Sequence, residues 1–146
     1  MLTSNDLKLL WQEDCLIDDT NLQEAVALSP RLHSRYLNYM IDCKKELMEI
    51  ETRAKKIRAA LIRYYSGKMS KEELMERGWN QYQETKPLKG EMETLIDIHP
   101  TFEQVRERIL DLELMISMLE SIIKMIFARS YDIKTLIEIR KFEFGC

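Results

Sequence analysis

Residues 29–68 read SPRLHSRYLNYMIDCKKELMEIETRAKKIRAALIRYYSGK, and this stretch decides the fold class. Ser29 and Pro30 fit the N-cap and first position of a helix, where proline's missing amide hydrogen is not needed. No Pro or Gly follows until Gly67, so the expected helix covers about 36 residues, roughly 54 Å at 1.5 Å per residue. Its apolar positions are Tyr36, Met40, Cys43, Leu47, Ile50, Ala54, Ile57, Leu61 and Tyr64, which alternate in steps of four and three. That spacing is the seam of a coiled-coil-type helix. The expected fold class is all-α.

The same stretch segregates charge. Between Glu51 and Glu72 stand Arg53, Lys55, Lys56, Arg58, Arg63, Lys68 and Lys71 with no acidic residue, in a chain of net charge −3. The other 126 residues hold 15 basic and 25 acidic side chains. Lys55, Lys56 and Arg63 fall off the seam and Arg53 and Arg58 flank it, so the cations do not have to be buried. Cations that neutralise phosphates release condensed counterions, and aromatic faces stack on unpaired bases. Arg53, Lys55, Lys56, Arg58, Arg63 and Lys68 are therefore candidate contacts to single-stranded nucleic acid. Tyr65 is the candidate stacking face, because Tyr64 falls on the seam. Two other readings stay open. The run is a solvated face of a coiled-coil adaptor, or it is a membrane-surface helix. The second fits less well, since such helices keep a free apolar face and this one has a spacing that suits another helix.

Outward from this stretch the punctuation is regular. Thr20 with Gln23 resembles a capping box opening a short helix that Ser29-Pro30 interrupts. Ser70 with Glu73 opens another short helix, which Gly78 ends. Residues 79–100 read as a connector with a strand or turn at Thr94–Ile98. Thr101 and Gln104 open a second long helix, in which Val105, Ile109, Leu112, Ile116, Leu119, Ile123 and Ile126 repeat the four-three alternation. Beside them runs a second stripe of Met115, Met118, Ile122 and Met125. Two stripes exceed the narrow face of a helix pair, so the helix is expected to pack on its own chain and on another copy, with Val105, Ile109, Leu112, Ile116, Leu119, Ile123 and Ile126 as the oligomerisation contacts. The alternative docks the second stripe on Ile133, Leu136 and Ile137 of a separate final helix, Asp132–Phe142. The expected division is 1–78 with the basic helix at about 30–66, a connector at 79–100, and an oligomerising region at 101–146.

Several chemistries are not legible. The four glycines stand at 67, 78, 90 and 145, so no phosphate-cradling Gly-rich loop precedes a Lys. His33 and His99 lack ligand-spaced partners, and no metal site, cofactor or enzyme activity is expected. Cys15, Cys43 and Cys146 read as free thiols, with no framework spacing. No apolar run is long enough for a membrane span, and the acid-rich N-terminus does not look like an export signal.

Taken together, several segments resemble the UvsY family of recombination mediators of tailed bacteriophages. They are Asp14-Cys15-Leu16-Ile17-Asp18 through Leu22-Gln23-Glu24-Ala25, Tyr64-Tyr65-Ser66-Gly67-Lys68 after a basic helix, Phe127-Ala128-Arg129 with Ile133-Lys134, and Phe142-Glu143-x-Gly145. The resemblance implies small helical subunits forming a ring-like homo-oligomeric bundle, a hexamer or heptamer, that binds single-stranded DNA. It also implies a RecA-like phage recombinase and the phage single-strand-binding protein as partners, in the cytoplasm of the infected host. In that family the DNA contacts lie on the basic helix. Here the positions aligned with its best-known basic residues hold Ala59 and Leu61, with cations at Lys55, Lys56, Arg58 and Arg63 instead.

Overall fold

The computed structural model describes residues 1–145. Among them the chain forms five helices and no strand: α1 (Ser4–Asp14), α2 (Leu22–Tyr65), α3 (Lys71–Arg77), α4 (Lys89–Ile98) and α5 (Pro100–Glu143). The all-α expectation holds. Cys146 lies outside the described residues, and Cys15 and Cys43 are free thiols, the first exposed and the second buried.

α2 is longer than its sequence punctuation suggests, and its start is a correction. Its cap is Asn21, whose Oδ1 accepts from the Glu24 amide at 3.2 Å while its Nδ2 donates to Glu24 Oε2 at 3.0 Å. Thr20 instead donates its amide and hydroxyl to Asp18 Oδ1, and these bonds hold the Asp18 carboxyl below its ordinary range. Pro30 then lies inside the helix and does not begin it. An interior proline costs about 3 kcal/mol through a lost hydrogen bond and a ring clash. Here Pro30 and Val26, whose carbonyl loses its donor, are both exposed residues, so the penalty falls at the protein surface and not in the core. Ala25 and Leu32, buried on either side, keep the two lengths in line.

Contacts divide the chain into two compact units, one made of Met1–Leu47 with the residues from Asp111 onward, the other of Met48–Leu110. This replaces the linear division at 78 and 100. α2 and α5 each contribute one length to each unit, which a boundary search for linkers does not detect.

In the first unit, α1 packs beside α2 and α5. This helix is absent from the sequence reading, although Thr3 and Asp6 form a reciprocal capping box. Its start is tied to α5 by Ser4 Oγ donating to Asp111 at 2.5 Å. Its end is tied to α2 by Asp14 Oδ2, which accepts from the Tyr36 hydroxyl at 2.7 Å and from Arg35 at 2.9 Å. Tyr36 is fully buried, edge-on to Trp11 and Tyr39. Burial, with the bond to Asp14, pushes its phenol well above the ordinary value. Arg129, also buried, donates to the Leu16 carbonyl at 3.3 Å, and Arg140 donates to the Asp19 carbonyl. The two arginines strap the loop after α1 onto α5.

α5 runs without a break through Tyr131-Asp132. From Leu112 onward its buried positions are Leu112, Met115, Leu119, Ile122, Ile126, Arg129 and Ile133, again in steps of three and four. Burying that continuous face outweighs the weak helix propensity of Tyr131 and Asp132. The seam is thus drawn from both apolar stripes. Val105, Leu112, Leu119 and Ile126, expected to face another subunit, are buried in the chain's own units. Ile109, Ile116 and Ile123 remain half-exposed, and Met125 is exposed.

The second unit holds the rest. α3 starts at Ser70 and stops at Gly78, as read. α4 replaces the strand expected at Thr94–Ile98, because Met92 and Ile96 are buried at helical spacing, one turn apart.

If α2 is continuous through residue 30, Pro30→Ala restores a helix hydrogen bond and raises stability by about 1–3 kcal/mol, read as a higher urea midpoint. A helix that starts at Pro30 shows a loss instead.

Candidate nucleic-acid interface

Within the second unit, α2 from Met48 to Tyr65 has two dissimilar sides. Ile50, Ile57, Ala60 and Leu61 are buried, and each buried Ile or Leu stabilises by roughly 1.5–3 kcal/mol. At about 100° per residue, Thr52, Lys55, Lys56, Ala59 and Arg63 fall on the opposite side, and all five are exposed. Rotating the helix to cover those cations would bring the seam into water. The seam therefore sets where the charge points.

The expected site residues separate into three groups. Arg53, Lys55, Lys56 and Lys68 are exposed, and among the described residues none of them forms an ion pair. Arg58 and Arg63 are paired, Arg58 with Glu93 of α4 and Arg63 with Glu73 of α3 at 2.9 Å. Tyr65 is a correction. It is 8% exposed, and its hydroxyl donates to the Leu95 carbonyl at 3.4 Å. Burial raises its phenol above the ordinary value, and the ring has no free face to offer a base. Heptad counting put Tyr64 in the core and Tyr65 outside. At the helix end both are drawn in, and Tyr64 is the more exposed of the two.

What surrounds them is built by two glycine stops. Gly67 at φ 69° ends α2, with the Lys68 amide donating to Arg63 O at 3.0 Å and the Gly67 amide to Tyr64 O at 3.1 Å. Gly78, also at φ 69°, ends α3 in the same way, with Trp79 N–H to Leu74 O at 3.0 Å and Gly78 N–H to Met75 O at 3.2 Å. Such left-handed stops turn the next residue back along the helix. Trp79 accordingly returns onto Tyr64, ring centroids 5.2 Å apart, and the Tyr64 hydroxyl donates to Asn80 O at 2.6 Å. His99, between α4 and α5, closes the cluster 4.9 Å from Trp79, and Tyr82 sits edge-on to Tyr65. The Arg77 guanidinium lies 5.1 Å from the Trp79 ring centre. The sequence reading left Trp79 and Tyr82 in a polar connector. The signal that finds Trp79 is the Ser70-to-Gly78 helix itself, whose stop dictates the direction of the next residue.

Among the described residues no His, Cys, Asp or Glu group is placed to hold a metal ion, and no helix is long and apolar enough to cross a membrane. The family sequence model described as "Recombination, repair and ssDNA binding protein UvsY" matches residues 10–146. The chain belongs to the UvsY family. It is 28% identical over 140 residues to the recombination protein uvsY of Enterobacteria phage T4, covering 96% of each. Among solved structures it is similar to the bacteriophage T4 recombination mediator protein UvsY in one crystal lattice with TM-score 0.81 and 26% identity, over 99% of this chain and 100% of the other. A second lattice gives TM-score 0.78 at 25% identity, over 97% and 99%. The UvsY fold thus spans the whole described chain, including α1 and α4, where the sequence alone suggested no helix.

Burial lowers the His99 pKa, so the folded chain favours the neutral ring. As pH falls, the unfolded chain takes up this proton first. Stability should be full above about pH 6.5 and decline as pH drops through the lowered value. Urea midpoints across that window should show the decline, and His99→Gln should flatten it. A profile unchanged by the substitution contradicts the burial of the ring.

Proposed function

We infer that this chain is a single-stranded-DNA-binding recombination mediator that helps load a RecA-like recombinase onto strands covered by single-strand-binding protein. The carrying observation is the exposed, unpaired set of Lys55 and Lys56 on the side of α2 opposite its buried seam, Arg53 beside that seam, and Lys68 just beyond the helix end. The family's printed description, recombination, repair and ssDNA binding, agrees with a polyanion surface and names no chemical reaction. Arg58 and Arg63 are secondary contacts. Glu93 is exposed and Glu73 half-exposed, and solvent-facing pairs are worth about 0–1 kcal/mol, little enough for a phosphate to replace either carboxylate.

One such patch holds a flexible strand weakly. Repetition of the patch around a homo-oligomeric ring raises effective concentration without new contact types. Ile116, Ile123, Phe127 and Tyr131 suit the contact between copies, since they follow one side of α5 and stay half-exposed or exposed. A strand laid along successive α2 faces is bent away from the path that the covering protein imposes, and is presented to the recombinase in the host cytoplasm. The competing reading, an adaptor with a merely solvated basic face, predicts the same oligomer with no gel shift of single-stranded DNA at low salt.

Salt titration of oligonucleotide binding tests the surface. The slope of log K against log salt should flatten by about 0.7 for each phosphate contact removed. Lys55→Gln with Lys56→Gln should flatten it clearly, and Arg58→Gln less. An unchanged slope removes α2 as the interface. Separately, Ile116→Asp with Ile123→Asp should yield smaller particles by light scattering and weaken DNA binding at least tenfold. Unaltered mass contradicts the α5 contact.

A further inference from the structure

The aromatic cluster that terminates the basic helix leaves an opening with a volume of about 420 Å³. Its walls are Tyr64, Trp79 and His99, and Arg77, Asn80 and Thr101 contribute polar edges. Sites for small planar ligands fall in the range of about 300–1,000 Å³ and combine apolar walls with a few polar groups. We propose that this cavity takes one unstacked base of a bound DNA strand. The proposal rests on the single-strand reading above and deepens it, assigning a place to a base where α2 assigns places to phosphates.

Three observations favour a nucleobase over a peptide side chain. First, the cavity sits at the end of the cationic helix, since its wall residue Tyr64 directly follows Arg63 and the opening lies in the same unit as Lys55, Lys56 and Lys68. Second, the walls are π faces and edges with ring centroids 4.9–6.3 Å from one another, with Tyr64, Trp79 and His99 each only partly buried. Stacking on such faces tolerates every base, which suits a mediator that must act on any strand. Third, the rim carries charge of the right sign. Arg77 is exposed, held over the Trp79 ring, and has no carboxylate partner among the described residues. It is free to meet the phosphate flanking the inserted base. His99 Nδ1 accepts the Thr101 amide at 3.3 Å, so the neutral ring carries its proton on the other nitrogen. Tyr65, the residue that adjacency in the sequence suggested for stacking, supports the cavity from behind.

The test compares oligo(dT) with an abasic phosphodiester strand of equal length at low salt. The wild-type protein should prefer the base-bearing strand by roughly five- to a hundredfold, the range of a single stacked base. Trp79→Ala should bring that ratio close to one, and Trp79→Phe should retain most of the preference. Trp11→Phe makes Trp79 the sole tryptophan, and its emission should be quenched by oligo(dT) but not by the abasic strand. That measurement decides the matter should Trp79→Ala fail to fold. A ratio indifferent to Trp79, or equal quenching by both strands, overturns the cavity assignment while DNA binding stands. Binding of neither strand at low salt overturns the single-strand reading and this proposal with it.

Discussion

Burial of the apolar seam of α2 is the constraint on which the arrangement depends. Ile50, Ile57 and Leu61 are almost fully covered, and at roughly 1.5–3 kcal/mol each they outweigh any surface charge term on the same helix. Because the helix is stiff, fixing one side fixes the other. Lys55 and Lys56 are outward as a consequence of where Ile57 and Leu61 go. A chain that carries a net negative charge can in this way present a phosphate-binding line, since its acids lie elsewhere.

The flanking helices modify that line without hiding it. α4 holds Arg58 through Glu93 and α3 holds Arg63 through Glu73, which narrows the freely available charge to the middle of the face and to Lys68. Exposed pairs of this kind position an arginine more than they stabilise the fold. The glycine stop of α3 has a larger architectural effect. It returns Trp79 to the end of α2 and converts what reads as a polar connector into a walled aromatic site. Phosphate-binding charge and base-sized opening then share one helix.

Much of this was legible in the residues and some was not. The seam from Tyr36 to Tyr64 identified α2 and the side its cations face, and Ser70, Glu73 and Gly78 marked α3 to the residue. Pro30 misled, because a proline break is a local penalty and here it falls among exposed residues at the surface. The stop at Tyr131-Asp132 failed for a related reason, the buried Arg129 and Ile133 carrying the helix onward. α4 was misread as a strand since Met92, Leu95 and Ile96 form too short a pattern to separate one period from the other. The partition of α5's two stripes was beyond reach, as heptad counting finds an apolar face without saying whether the chain itself or another copy covers it. The family's Ala59 and Leu61 positions illustrate the reverse case. The structure puts Leu61 in the core, and the cations one step around the helix take the exposed side.

The most direct test of the free cationic face is lysine labelling read by mass spectrometry on the native assembly, with and without oligo(dT). The account predicts that Lys55, Lys56 and Lys68 label readily in the DNA-free protein and become protected when the strand is added, while Lys8 and Lys124 on the other unit change little. Lysines on α2 that resist labelling before DNA is added, or that label equally in its presence, contradict it.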